Sequence, residues 1–323
     1  MTLEDYVHRW NDGSLREINI HLNHLERRLY KSFEPSLASK EDYWIRLEKC
    51  LNNVPNEEDK KTLLRLAPEI FYVGPEEFLE LYRMTYEAII CRWLIDQTNI
   101  DILDPNAQNL IHAAVSRTWF CPISDSMRIN SFYHVNAVPA GCDLRPDWRS
   151  LACFASAASV KAYCARNKIE YLVLLEDFVG GGSQVGGALS FAAQMLPEVK
   201  VLFTPLIICP SGITAVSAIA VANPGLTFEP ALSLPCNAFF TLTDSPFDPL
   251  QTSNLRALVT SSYPAVSTDA SHMGPPYSEY GYPLVNPVGG LVVMFSNSPD
   301  NTLPLIQHRS TAWEPLFPRH RRI

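Results

Sequence analysis

The chain has 323 residues, 47% hydrophobic and 19% charged, which is apolar material for one large domain or two of ordinary size and rules out a disordered or fibrous protein. Its net charge of -8 argues against binding nucleic acid through bulk electrostatics, which requires clustered Lys and Arg, and leaves only local basic patches open. Cys50, Cys91, Cys121, Cys142, Cys153, Cys164, Cys209 and Cys236 form no Cys-x-x-Cys pair, and several lie in apolar runs where a thiol acts as a small hydrophobe, so a reduced cytoplasmic chain is expected.

The first ten residues lack a basic stretch followed by an apolar one, and the longest apolar runs fall far short of a bilayer span; neither export nor a membrane helix is expected. Residues 1 to 110 carry 13 basic against 20 acidic residues, whereas 111 to 323 carry 13 against 14, so most of the acidity lies in front. That front part reads as helical. One helix runs from Tyr43 through Leu47, Leu51 and Val54 to a stop at Pro55. A second starts at Pro75 with Glu76 and Glu77 in its first turn, and Phe78, Leu81, Tyr82, Thr85, Tyr86, Ile89 and Trp93 form its apolar face.

A turn within residues 99–109, at Asp104, Pro105 and Asn106, predicts the domain boundary, with an acidic helical domain over 1–108 and an α/β domain over 109–323. Beyond it, the runs Thr118 to Ile123, Tyr171 to Leu175, Val199 to Ile208 and Gly290 to Phe295 have strand length and are apolar on both faces. This is the pattern of a parallel sheet flanked by helices. A helix is expected through Leu151, Phe154 and Ala158, capped by Asp147, with Arg145 and Arg149 beside its start.

The stretch Tyr171-Leu-Val-Leu-Leu-Glu-Asp-Phe-Val-Gly-Gly-Gly-Ser-Gln-Val-Gly-Gly187 ends a strand in two acids and then turns on glycines into a helix. Glycines at such a turn let the backbone approach a phosphate, and the amides and dipole of the following helix favour its charge; Ser183 adds a hydroxyl. The run from Lys168 to Lys200 contains no other Lys, so this is not a Walker A loop. Gly180 and Gly182 do not complete G-x-G-x-x-G, because Val185 takes the third glycine's place and the acids precede the turn.

The pattern resembles the signature of type I phosphoribosyltransferases: four hydrophobic residues, two acids, two apolar residues and a loop of small residues. That resemblance implies that Glu176 and Asp177 take the ribose of phosphoribosyl pyrophosphate (PRPP), and that Gly180, Gly181, Gly182, Ser183 and Gln184 wrap its 5'-phosphate. Gly180 and Gly181 stand where hydroxyl residues are usual, which implies either a lower phosphate affinity or one supplied mainly by the backbone. It also implies that Arg117-Thr-Trp-Phe-Cys-Pro-Ile-Ser-Asp-Ser-Met-Arg128 ends in the pyrophosphate loop, with Ser124, Asp125, Ser126 and Arg128 as contacts. Ser124 or Asp125 could equally cap an ordinary helix. Substitution at an anomeric carbon passes through a cation-like state and needs an oriented sugar, and Mg2+ bridging pyrophosphate and ribose suits these hard oxygen ligands.

Glu-Asp-Phe-Val-Gly, the later Asn297-Ser-Pro-Asp-Asn-Thr-Leu-Pro304, the closing Trp313-Glu-Pro-Leu-Phe-Pro-Arg319 and the front Phe71-Tyr72-Val73-Gly74-Pro75 are similar to the PRTase-CE group of bacterial conflict systems. The resemblance implies a type I phosphoribosyltransferase-like α/β fold behind a helical domain. It implies an antiviral effector that binds PRPP or a nucleotide, with a protein partner from the same system, nucleic acid reached through that partner, and no membrane. The alternatives are an inactive module that senses PRPP or a nucleotide, and an adaptor that regulates a partner.

Other residues read more plainly. Tyr277, Tyr280 and Tyr282, in the Pro-rich stretch 235–287, are read as local packing before base stacking. His8, His21 and His24 lack zinc-type spacing and are read as solvent-facing, His134 is read as a packed or hydrogen-bonded residue before a catalyst, G-x-S-x-G is absent, and Arg319-His-Arg-Arg-Ile323 is read as a solvated basic tail.

Overall fold

A computed structural model describes residues 3–35, 41–139, 141–142, 146–148, 156–196, 198–235, 238, 240, 249–268, 278–282 and 289–320. Arg145, Arg149, Leu151, Cys153, Phe154, Cys236, Tyr277 and residues 321–323 lie outside them, and with them the helix that Asp147 was expected to cap. The described strands are β1 (Phe71–Val73), β2 (Thr118–Pro122), β3 (Tyr171–Val179), β4 (Lys200–Ile208), β5 (Leu226–Phe228), β6 (Leu232–Ser233) and β7 (Val292–Met294).

By packing, the chain divides into one unit of residues 1–75 with 236–323 and another of residues 76–235, which is not the expected division at 108/109. Two interactions account for the difference. The run at Gly290 to Phe295 does not join the sheet of the acid-bearing strand; its β7 pairs in parallel with β1, a strand inside the part read as all-helical (Phe71 with Val292, Val73 with Met294). The helix from Pro75, in turn, packs on the main sheet, as described below.

In the first unit, the helices Gly13–Arg28, Tyr43–Asn52 and Glu57–Leu66 are capped by Asp12, Asp42 and Asn56, whose side chains accept from Ser14, Ile45 and Glu58 amides. Leu47, Leu51 and Val54 enter one core with Leu305, Ile306, Trp313 and Phe317 from the closing segment. Phe317 lies edge-on to Tyr30 and Phe33. The buried Arg46 donates from Nε to the Leu316 carbonyl at 2.9 Å, with its guanidinium over the rings of Phe33 and Phe317. Asn53 bonds both ways to the Glu314 backbone, at 2.7 and 3.0 Å.

In the second unit, β2, β3, β4 and β5 are hydrogen-bonded in that order, all in parallel, and β6 extends the β4 edge beyond β5. The three long strands are buried almost throughout, as their unbroken apolar runs predict. Trp119, Cys121, Leu172, Leu174, Val201 and Phe203 share a core with the helices Ala157–Arg166, Ser183–Met195 and Pro210–Ala222. Alternate residues meet the helix that starts at Pro75, which changes to π form over Thr85–Cys91 and runs on through Arg92–Thr98. Tyr86 packs on Phe120, and Trp93 lies edge-on to Tyr171 while donating to Thr227 Oγ1 at 3.2 Å. The strands are therefore covered on both faces, the arrangement of a helix-flanked α/β sheet.

Pro205 is tolerated inside β4 because its carbonyl accepts from the Ala231 amide, so its missing N–H faces the gap between β5 and β6. Among the described residues, no helix is long and apolar enough to cross a membrane.

A fragment of residues 109–323 would lack both the helix over Phe120 and Tyr171 and the front helices that complete the core around Phe317. We expect it to show no cooperative melting transition by circular dichroism under conditions where the full chain does.

Candidate ribose-phosphate site

The parallel register fixes what lies beside the acids. Pro122 of β2 is level with Leu175 of β3, and the Ile123 amide still donates to the Leu175 carbonyl at 2.9 Å, so the chain leaving β2 emerges beside Glu176 and Asp177. Ligand sites of α/β sheets lie at such carboxyl ends of strands.

Both acids are only 2% exposed. The Ser124 amide donates to Glu176 Oε2 at 3.0 Å. The Ser126 hydroxyl donates to Asp177 Oδ1 at 2.8 Å, and the Phe178 amide donates to the same oxygen at 2.8 Å. Ser124 Oγ lies 2.7 Å from Ser126 Oγ, which completes a chain of hydroxyls ending on Asp177. Asp177 Oδ2 is buried without a hydrogen-bond partner.

The β3–β4 pairing is interrupted at Asp177 and Leu206. Across this point the inward faces invert, since Leu172 and Leu174 share the core with Val179, and Val201 and Phe203 share it with Ile208. The Phe178 amide thus bonds to the Asp177 carboxylate where the ladder breaks.

Burial pushes both carboxyls above the usual carboxylate range, and the neighbouring Asp177 charge raises Glu176 further. The Ser126 hydroxyl, the Phe178 amide and, more weakly, the Arg128 charge pull Asp177 back down.

Ser124 and Asp125 do not cap a regular helix. They lead into a 3-10 turn, Asp125–Met127, whose Met127 carbonyl accepts from the buried Tyr82 hydroxyl at 2.9 Å. Arg128 follows in the left-handed region (φ 48°, ψ 52°), uncommon for a residue with a Cβ, and only then does the helix Ile129–Val135 begin. Asp125 is exposed, and Arg128 is half-buried within electrostatic reach of Asp177.

The second half of the site is the glycine turn. Gly182 has φ 82° and precedes the helix Ser183–Met195, which no side chain caps and whose first turn holds no acid; Ser183 and Gln184 are exposed there. That leaves amide donors and the positive dipole end facing outward. A second uncapped helix, Pro210–Ala222, starts beside it, and Ser211 Oγ donates to the Gly180 carbonyl at 3.3 Å. The approach is close: a Cβ on Gly212 would lie 2.6 Å from Gly180 O, and one on Gly182 would lie 2.9 Å from Ala215 Cβ.

The structure thus brings Ser124 and Ser126 onto Glu176 and Asp177, and sets Gly180, Gly181, Gly182, Ser183 and Gln184 on the turn that follows the same strand. It turns the Ser126 hydroxyl toward Asp177, where a pyrophosphate contact was expected. Tyr82, Ser211 and Gly212 were missed by sequence reasoning. Cys-Pro-Ser-Gly at 209–212, closing an apolar run, repeats the strand-to-glycine signal and could have flagged the last two.

Outside the site, Tyr280 is buried and stacked on Phe240, the packing role expected for it, while His21, His24 and His134 are exposed. Among the described residues, no group of three His, Cys, Asp or Glu side chains is placed to hold a metal.

Two outcomes follow. Gly212→Ala should destabilise the protein by about 1–3 kcal/mol through overpacking, seen as a lowered melting temperature, whereas Gly181→Ala, with nothing within 4 Å of its new Cβ, should not. A carboxyl whose pKa is raised on folding is ionised first in the unfolded chain, so stability falls as pH rises from about 4 to the raised folded value. Glu176→Gln should flatten that fall, with the melting-temperature gain over wild type largest at alkaline pH and absent at low pH.

The PRTase-CE family profile matches residues 47–319, which includes the acid pair, the glycine turn and the closing segment around Phe317. Searches of curated proteins and of solved structures returned no match. Together with the parallel α/β sheet and the acid–glycine turn, the match establishes that the chain belongs to the PRTase-CE family of phosphoribosyltransferase-like proteins.

Proposed function

We propose that this phosphoribosyltransferase-like protein binds PRPP or a nucleotide at Glu176, Asp177 and the Gly180–Gln184 turn, and transfers a ribose phosphate group between pyrophosphate and a base or nucleotide. The observation that carries this reading is the juxtaposition of two buried carboxyls with an uncapped, glycine-turned helix start on one strand. The acids would take the ribose hydroxyls. Amides of the glycine turn, with Ser183, would take the 5'-phosphate, and the Ser124–Arg128 segment with its arginine would take pyrophosphate.

Asp177 Oδ2, a hard oxygen without a partner, suits Mg2+ held jointly with substrate oxygens, as one or two carboxylates usually hold that ion. When bound, the ion would neutralise the leaving pyrophosphate. The chain's own residues would orient the sugar and exclude water from the anomeric carbon.

The biological setting proposed is an antiviral effector that acts in the cytoplasm with a protein partner of the same defence system, which would bring nucleic acid within reach. The six described free cysteines are compatible with a reducing compartment. A second reading, a catalytically silent sensor of the same ligand that regulates its partner, is favoured by one observation: both acids already hold Ser124 and Ser126.

Calorimetric titration with PRPP and Mg2+ tests the site. Wild type should bind saturably, and Asp177→Ala should bind about 10–100-fold more weakly, the range set by losing a charged hydrogen-bond acceptor. Absence of binding by folded wild type would end both readings, and pyrophosphate release on adding acceptor bases separates enzyme from sensor.

A further inference from the structure

The acids proposed to hold the ribose are buried and already carry hydrogen-bond donors. The Glu176 carboxylate carries the Ser124 amide on Oε2. Asp177 Oδ1 carries both the Ser126 hydroxyl and the Phe178 amide, and Oδ2, the oxygen without a partner, is sealed from solvent. For a sugar hydroxyl to take the place of the donor on Glu176 Oε2 or Asp177 Oδ1, or to reach the buried Oδ2, these contacts must give way, and two of the donors belong to one short segment, Ser124–Arg128.

That segment is held at several points. Its hydroxyls form a chain, Ser124 to Ser126 to Asp177, the Met127 carbonyl accepts from Tyr82, and it ends in a left-handed Arg128. A non-glycine residue in that conformation stores backbone strain that surrounding contacts must offset. The attachments are not equal. The Tyr82 bond anchors the far end of the 3-10 turn, while the serine contacts cover the carboxyls.

We propose that Ser126 is a latch: its hydrogen bond to Asp177 holds the Ser124–Arg128 segment over the acid pair, and ligand binds when that segment lifts and the sugar hydroxyls replace Ser126 and the Ser124 amide on the carboxylates. This rests on the ribose-site reading and deepens it. The segment expected to contact pyrophosphate is the one that covers the ribose acids, so occupation of the two subsites is coupled. A ligand carrying both a ribose and a pyrophosphate group recovers contacts to the lifted segment, whereas ribose 5-phosphate must lift it without that return. The latch costs both ligands the same, and only the sugar that carries a pyrophosphate offsets that cost with contacts to the lifted segment. Because only the unlatched fraction is competent to bind, apparent affinity is reduced by that fraction, and loosening the latch raises it.

The test uses the full chain with Ser126→Ala and Ser126→Thr, the latter keeping a hydroxyl. Amide hydrogen exchange without ligand should be at least threefold faster over residues 123–128 in Ser126→Ala and near wild type in Ser126→Thr. In calorimetry, Ser126→Ala should bind ribose 5-phosphate about 5–20-fold more tightly than wild type, consistent with removal of one hydrogen bond to a charged acceptor, and PRPP with Mg2+ should gain less, because the same substitution removes a hydroxyl that the lifted segment offers to pyrophosphate. Weaker binding of both ligands by Ser126→Ala would make Ser126 a ligand contact and overturn the latch, as would unchanged exchange over 123–128. Faster exchange with no binding of either ligand by any form would uphold the latch as a restraint on the segment and sink the ribose-site reading instead.

Discussion

Two adjacent carboxyls buried in an interior strand of a parallel sheet constrain most of what surrounds them. Removing such a pair from water costs several kcal/mol per ionised group unless hydrogen bonds replace the lost hydration. Glu176 and Asp177 are supplied with donors from the chain leaving β2 and from the backbone of their own strand. The level pairing of Pro122 with Leu175 makes that supply geometrically available, because it delivers Ser124 to the carboxylates with no intervening loop. Break the register by one residue and the acids would face the wrong partners.

The glycine turn obeys a steric constraint of similar strictness. Gly182 and Gly212 let two strand-to-helix turns approach more closely than side chains permit, Gly212 lying against the Gly180 carbonyl, and the left-handed Gly182 starts its helix without a capping side chain. Strand ladder, acid pair and glycine turn thus form one continuous device, in which the sheet sets positions and the turns set what can approach. The π segment Thr85–Cys91 lies on the other face of the sheet, in a helix whose Tyr82 reaches the segment beside the acids. π turns are often found near functional sites.

Much of this was legible locally. The apolar runs named β2, β3 and β4, and their lack of alternation correctly indicated strands covered on both faces. Pro75 with Glu76 and Glu77 marked a helix start, and Glu-Asp followed by three glycines marked the strand-to-helix turn. The division of the chain was not legible. Asp104-Pro105-Asn106 does form a turn, but a turn says nothing about which surfaces on either side of it pack together. Ser126 was read toward a ligand because its spacing from Asp177 in sequence carries no hint of a 2.8 Å contact.

The sequence by itself determined the strand and helix segments, the chemistry of the acid–glycine turn and, through several short motifs, the family. These are properties of near neighbours, governed by periodicity, capping and backbone freedom. Only the tertiary structure decided that β7 pairs with β1, that Arg46 binds the closing segment, that both acids are buried, and that Ser124 and Ser126 occupy them. Each of those depends on which distant surfaces exclude water together, a choice made by packing over the whole unit that no local pattern encodes.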